Sequence, residues 1–256
     1  MKSYFAFFKK EAYESYKTSK LLILGILFLI FGVMNPAFAK LTPYLMKMLS
    51  EELASSGVTV GEIVVTDFDS WVQFFKNIPL ALIVFVVMYS SSFTAEYQSK
   101  TIIPIITKGL SRTKILLSKF VFQILLWSVL YAVCFVTTLM YNMYFWEESA
   151  VTNLAFSLFG YWLFGVMIIG FMTMFSAMSD SSTYVMLGCG AVVAVCYILS
   201  LIPKIKDFSP IKLTQTTDLL TGQLQASEIT PAVITAAALS AVSLILAKLS
   251  FDKKMI

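Results

Sequence analysis

The sequence contains no histidine. That removes the commonest general base, the commonest metal ligand and the usual switch near neutral pH. Cysteine is scarce: Cys134, Cys189 and Cys196 all lie inside apolar runs. They form neither a disulfide framework nor a metal-ligand spacing, and a buried cysteine behaves as a small hydrophobe. Charge is scarce too. Asp, Glu, Lys and Arg make up 13% of the 256 residues, where soluble domains carry about a quarter. No G-x-x-x-x-G-K-[ST] is present, so the chain offers no P-loop for ATP, and an H-E-x-x-H zinc site is excluded. Neither a G-x-S-x-G nor a carboxylate pair lies in an apolar run; Glu51-Glu52 and Glu147-Glu148 fall between runs, as solvated acids. No catalytic residue, metal site or cofactor of the chain's own is expected. Nucleic acid is not an expected partner, because no basic face remains outside the loops that orient the chain.

What is there is apolar: 58% of the residues are hydrophobic and the mean hydropathy is +0.81. This composition predicts an all-α polytopic membrane protein, a single transmembrane domain over 1–256. Six spans are predicted, at about 21–39, 77–94, 115–141, 153–176, 184–202 and 232–249. The first covers roughly 28 Å at 1.5 Å per residue, enough for a bilayer core. Ala37-Phe38-Ala39 imitates a signal-peptidase site. The long n-region before it contains Glu11 and Glu14, so an uncleaved span is expected. Over 3–17, Phe5, Phe8, Ala12 and Tyr16 keep a helical spacing, with Lys9, Lys10, Glu14 and Lys17 mostly opposite. This predicts a helix lying in the membrane interface.

The longest loop, 40–76, is expected to hold a short amphipathic helix through Leu45, Met48, Leu49 and Leu53, ending before Gly57. Trp71, Phe74 and Phe75 then form an expected interfacial aromatic belt, as do Tyr141, Tyr144, Phe145 and Trp146. Pro79 is placed in the first turn of span 2, where proline is tolerated. Gly160, Gly165 and Gly170 are five residues apart and do not share one face. Ala237 and Ala241 make a small-xxx-small step beside Ser240 and Ser243, suited to close helix approach in lipid.

Charge sets the orientation. With both termini cytoplasmic, the inner segments hold thirteen of the nineteen Lys and Arg residues, and the outer segments hold six. That satisfies the positive-inside rule. At membrane depth ionisable residues are almost absent. Lys119 lies one turn into span 3 and is expected to snorkel inward. Proton relays need intramembrane acids, histidine or lysine, so any energy source is expected outside the chain. Polar lining is left to Gln123, Ser128, Thr137, Thr138, Ser157, Thr173, Ser200 and Thr235. Trp127 and Trp162 lie mid-span, facing either a lumen or a packed helix interface. Trp127, Thr138, Trp162 and Thr173 are the pathway candidates.

Between spans 2 and 3 lies the most distinctive stretch. It runs Glu96-Tyr97-Gln98, Thr101-Ile102-Ile103-Pro104, and Leu110-Ser111-Arg112-Thr113-Lys114-Ile115-Leu116-Leu117-Ser118-Lys119. It carries five basic residues, one acid and an apolar island over 102–106, a pattern suited to docking on a soluble partner. These motifs resemble the first cytoplasmic loop of ABC-2-type transporter permeases. The six-span layout, the N-terminal helix and the long first outer loop resemble that family over essentially the whole chain.

The resemblance implies a bacterial plasma-membrane permease that pairs with a second copy or a paralogue and with two copies of a cytoplasmic ATPase. ATP and Mg2+ would be bound in that partner. Residues 96–113 would be the coupling loop and 3–17 an elbow helix containing Phe5 and Phe8. Glu96 would anchor the end of span 2. Tyr97, Thr101, Ile102 and Ile105 would form the contact surface with the ATPase. Arg112 and Lys119 would hold the loop against headgroups or the N-terminal helix. Lys100 stands where the family usually has glycine, so a more regularly helical backbone is expected there. Small permeases of this type resemble exporters of amphipathic peptides such as bacteriocins and phenol-soluble modulins, and also sodium, drug and immunity exporters. Spans rich in Met, Phe and Tyr favour a hydrophobic peptide. An intramembrane hydrolase, the different-class alternative, would need a catalytic Ser/Lys or Glu/His arrangement at membrane depth, and histidine is absent; a passive channel would not need the docking loop.

Overall fold

The computed structural model describes residues 2–54, 64–107, 109, 111–147, 149 and 151–254. The described chain is helical with connecting turns. It contains α1 (Lys2–Lys17), α2 (Lys20–Ala54), α3 (Asp67–Tyr89), α4 (Ser91–Gln98), α5 (Ile103–Thr107), α6 (Arg112–Phe145), α7 (Leu154–Met178) and α8 (Ser182–Ser200). Short 3-10 turns and α9 (Thr217–Leu220) then lead to α10 (Thr230–Lys253). Among the described residues, six helices are long and apolar enough to cross a membrane, with α3 and α4 running as one from Asp67 to Gln98.

The spans differ from expectation mainly at the first loop. α2 does not stop near Ala39. It continues through Pro36 and Pro43 for 35 residues, about 52 Å at 1.5 Å per residue. The expected amphipathic helix is thus the far end of α2. Leu45 and Met48 there are exposed, the side chains of Leu49 and Leu53 lie outside the described residues, and so does Gly57.

α3 begins ten residues earlier than expected. Its first turn carries Asp67 and Asp69, acids that suit the positive end of a helix dipole. Asp69 Oδ2 accepts from the Thr66 N–H at 3.1 Å. Pro79 therefore sits in the helix interior rather than its first turn. Trp71 and Phe74, expected in an interfacial belt, are 1% and 0% exposed. They belong to the core, with Trp71 stacked on Phe135 of α6.

α7 is the central helix, and its largest interface is with α10. Small residues make that interface close. A Cβ on Gly170 would lie 2.5 Å from Ser243 Oγ. The buried face of α10 is Ala232, Ala236, Ser240, Ser243 and Ala247. Ala237 and Ala241, the expected small-xxx-small step, face outward. Ser240 and Ser243 belong to the contact; the alanines that serve it are one register away. The α7 glycines meet three different partners, as their spacing predicts: Leu213 at Gly160, Trp127 at Gly165 and Ser243 at Gly170.

Candidate functional site

Most chemistry-bearing side chains gather at the bundle end that carries both termini. There the start of α6, the end of α4, the middle of α1 and the end of α10 converge. Lys119 lies one to two turns into α6, with 1% of its side chain exposed. It does not snorkel inward to the interface, as its position suggests, but stays buried. Its Nζ donates to both carboxylate oxygens of Glu11 at 2.9 Å and to the Ser92 carbonyl at 3.1 Å. Glu96 Oε1 is 3.3 Å away. Glu96 is also paired with Lys10, which lies 3.1 Å from Glu14. Phe7 and Phe93 place their rings against the Lys119 ammonium.

An isolated ion here would be costly, because a buried charge needs a partner and satisfied hydrogen bonds. The cluster meets that requirement for Lys119. Burial works against the Lys10 charge, but Glu11 and Glu96 beside it outweigh that and hold its pKa above the ordinary lysine value. One oxygen, Glu96 Oε2, is buried without a hydrogen-bond partner.

α1 docks through Phe7, Glu11 and Ser15, spaced four residues apart, with Phe8 and Ala12 half-buried beside them. Phe8 meets Phe122 edge-on at 5.6 Å. The Ser15 hydroxyl accepts from Tyr89 at 2.9 Å. The expected face was only partly right: Tyr16 is 71% exposed, and the side chain of Phe5 lies outside the described residues.

The loop after α4 turns sharply at Lys100, whose φ is +55°. The backbone there is left-handed, not more regularly helical. This explains why glycine suits the position, since an L-residue with a Cβ resists that region. Ile102 then folds back and is 0% exposed, in a second core cluster with Phe7, Phe93, Ile115, Leu116 and Phe251. It holds the loop down and offers no surface to a partner. Lys100, Thr101, Pro104 and Thr107 are exposed, and Ile103 and Ile106 half-buried. The side chain of Ile105 lies outside the described residues.

Arg112 was expected against headgroups or α1. It instead donates from one guanidinium nitrogen to the carbonyls of Phe251, at 2.7 Å, and Lys254, at 2.6 Å. The last carbonyls of a helix lack partners along the chain, and Arg112 supplies one for α10. Tyr97 packs on Phe93 and Phe251, with the Lys254 ammonium 3.8 Å from its ring centroid. Lys254 pairs with Asp180 at 2.6 Å, and Gln98 donates to the Asp180 carbonyl at 2.9 Å. α1, α6, α10 and the turn at Asp180 are thereby tied to the loop and its base.

The chain belongs to the ABC-2 family of transporter proteins. The family model, described as ABC-2 family transporter protein, matches residues 5–254. Among curated proteins, none matches the chain. As an ABC-2 protein it is a multi-pass membrane permease subunit of an ABC transporter, a subunit that normally lacks its own ATPase and generally works with a cytoplasmic one.

The pathway candidates of this ABC-2 permease are mostly packed. Trp127 is 0% exposed. It fills the space left by Gly165, where a Cβ would sit 2.4 Å from the indole. Thr138 is equally buried; it accepts from Asn35 Nδ2 at 3.0 Å and donates to the Gly32 carbonyl at 3.1 Å. Asn77 in turn donates to Asn35 Oδ1 at 2.7 Å, so an amide chain joins α2, α3 and α6. Thr173 donates to the Ile169 carbonyl of its own helix. Trp162 is half-buried and donates to Ser128 at 2.9 Å. Ser128, Thr137, Ser157, Ser200 and Thr235 donate to carbonyls three or four residues back in their own helices. That local bond satisfies a hydroxyl in lipid without any lumen.

Sequence reasoning missed Glu11 and Asn35. Glu11 lies in the same i, i+4 stripe as Phe7 and Ser15, which would have revealed it. Asn35 is an amide deep in an apolar run, where an unpaired polar group is costly.

Proposed function

We propose that this chain is the permease of an ATP-driven exporter of amphipathic or hydrophobic peptides. It acts as a dimer with two ATPase subunits that bind ATP and Mg2+, in a bacterial plasma membrane with both termini cytoplasmic. The observation that carries the reading is the loop between α4 and α6. Its exposed Lys100, Thr101, Pro104 and Thr107 stand on a base clamped by Ile102, Lys119 and Arg112. A projection held by α1, α6 and α10 passes a push on its tip to the whole bundle. The coupling surface is this tip; Glu96, Tyr97, Arg112 and Lys119 stiffen it from behind.

The near absence of ionisable groups at membrane depth, with Lys119 neutralised by Glu11, supports a substrate carried by apolar contact. Sodium or a drug is the alternative cargo within the same family. The packed single chain supports a pathway built with a second copy. The test joins two substitutions at the tip, Thr101→Arg with Thr107→Arg. Both positions are exposed, so stability should change by less than about 0.5 kcal/mol. Co-purification of a P-loop ATPase and peptide export should both fall. Unchanged export in this variant would remove the docking role.

A further inference from the structure

α2 is too long for the membrane it crosses. A hydrocarbon core takes about twenty helical residues, so a span that starts at Lys20 leaves the core near Lys40. Lys40 marks that level itself: its Nζ lies 5.1 Å from the Trp146 ring centroid, a basic and aromatic pair suited to the headgroup layer. The helix nevertheless continues to Ala54. Beyond Lys40 it presents Leu41, Tyr44, Leu45 and Met48, exposed by 51%, 63%, 54% and 56%. An apolar side chain that faces lipid needs no partner, but a contiguous row of them in water marks an interaction surface.

The row has a definite spacing. Ile30, Met34, Ala37, Leu41, Tyr44 and Met48 follow one another in alternating steps of four and three. All are exposed except Met34, which is half-buried. The opposite side of α2, through Phe31, Asn35 and Ala39, is the side packed into the bundle. Pro36 is buried and Pro43 half-buried, so both prolines lie off the exposed row. A repeat of seven residues keeps two helices in register as a left-handed pair. A lipid chain on this face would need no such repeat. A transient peptide would leave the row bare between its visits.

We propose that the projecting end of α2 pairs, in parallel, with the same segment of a second copy of this chain. Two copies inserted the same way round are related by a two-fold axis along the bilayer normal, which sets equivalent helices side by side and parallel. Pairing along the row from Ile30 to Met48 buries on the order of 1,000 Å² in total, the least that a specific interface needs. The inference rests on the dimer reading and names a surface outside the membrane that joins the copies.

The test uses the full chain in native membranes. Leu41→Cys, Tyr44→Cys and Met48→Cys should each form disulfide-linked homodimers under copper phenanthroline. Met46→Cys, exposed on the other side of the helix, should link at least about tenfold less. All four positions are exposed, so the variants should fold. Equal linking at Met46 and Tyr44 would mean random collision and overturns the proposal. Photolysis of Tyr44→p-benzoylphenylalanine identifies the occupant by mass: adducts with lipid, with the loaded peptide or with a different permease chain overturn the proposal, and an adduct with a second copy supports it. Leu41→Glu with Met48→Glu should weaken self-association in detergent at least about tenfold; unchanged association overturns the pairing. Native mass of the complex with the ATPase separates the two readings. Two copies of the chain without self-links mean that only this surface is wrong. A single copy means that the dimer reading itself fails.

Discussion

Removing the Lys119 ammonium would strand Glu11 and Glu96 in a buried setting with only Lys10 left to them. Breaking one side of a buried pair costs about 3–5 kcal/mol, because the surviving charge loses its partner and does not regain water. Lys119→Met should therefore lower the melting temperature of the detergent-solubilised protein sharply, and adding Glu11→Gln should recover part of the loss. A Lys119→Met protein that melts like the parent would show that the cluster is solvated rather than buried. Lys100 allows a prediction of opposite sign. A left-handed L-residue costs roughly 1–2 kcal/mol, so Lys100→Gly should be neutral or stabilising. Lys100→Val should destabilise, because a β-branched side chain fits that region worst. Equal melting of the two variants would contradict the left-handed turn.

Among the elements, α7 and α10 pose the clearest contrast. Ala236 and Ala237 are adjacent and equally small, yet only Ala236 is buried. Ala236→Leu should destabilise by about 1–3 kcal/mol through overpacking, and Ala237→Leu should change stability by less than about 0.5 kcal/mol. Thermal unfolding in detergent distinguishes them, and equal effects would mean the register is wrong. This is also where sequence legibility ended. Hydropathy located the six spans because each apolar run is long enough to cross a bilayer. It could not locate faces, because lipid and protein interior are both apolar, and a residue pointing either way looks the same in sequence. Trp71 and Phe74 looked like a belt for that reason. The loop motif was legible because charge and proline interrupt the apolar background. What lay behind it was not, since the Lys119–Glu11 pair joins residues 108 apart and the Arg112 cap on α10 joins residues 139 apart.

For the whole molecule, the proposed orientation can be tested with single added cysteines. The native Cys134, Cys189 and Cys196 are buried and free, so they contribute little background. A cysteine at Gln223 should react with a membrane-impermeant maleimide on intact cells, and one at Thr107 only after lysis. Both side chains are exposed, so the reverse pattern would place both termini outside.

The buried Lys119 also constrains how such a protein is made. Glu11 is translated 108 residues before the lysine it neutralises, about 5–20 s at ordinary elongation rates. The acid is thus already at the membrane when α6 leaves the ribosome and must enter lipid bearing a positive charge. A nascent chain lacking its first seventeen residues should hesitate at that third insertion step and become a target for membrane quality-control proteases, even though every hydrophobic segment it needs is intact.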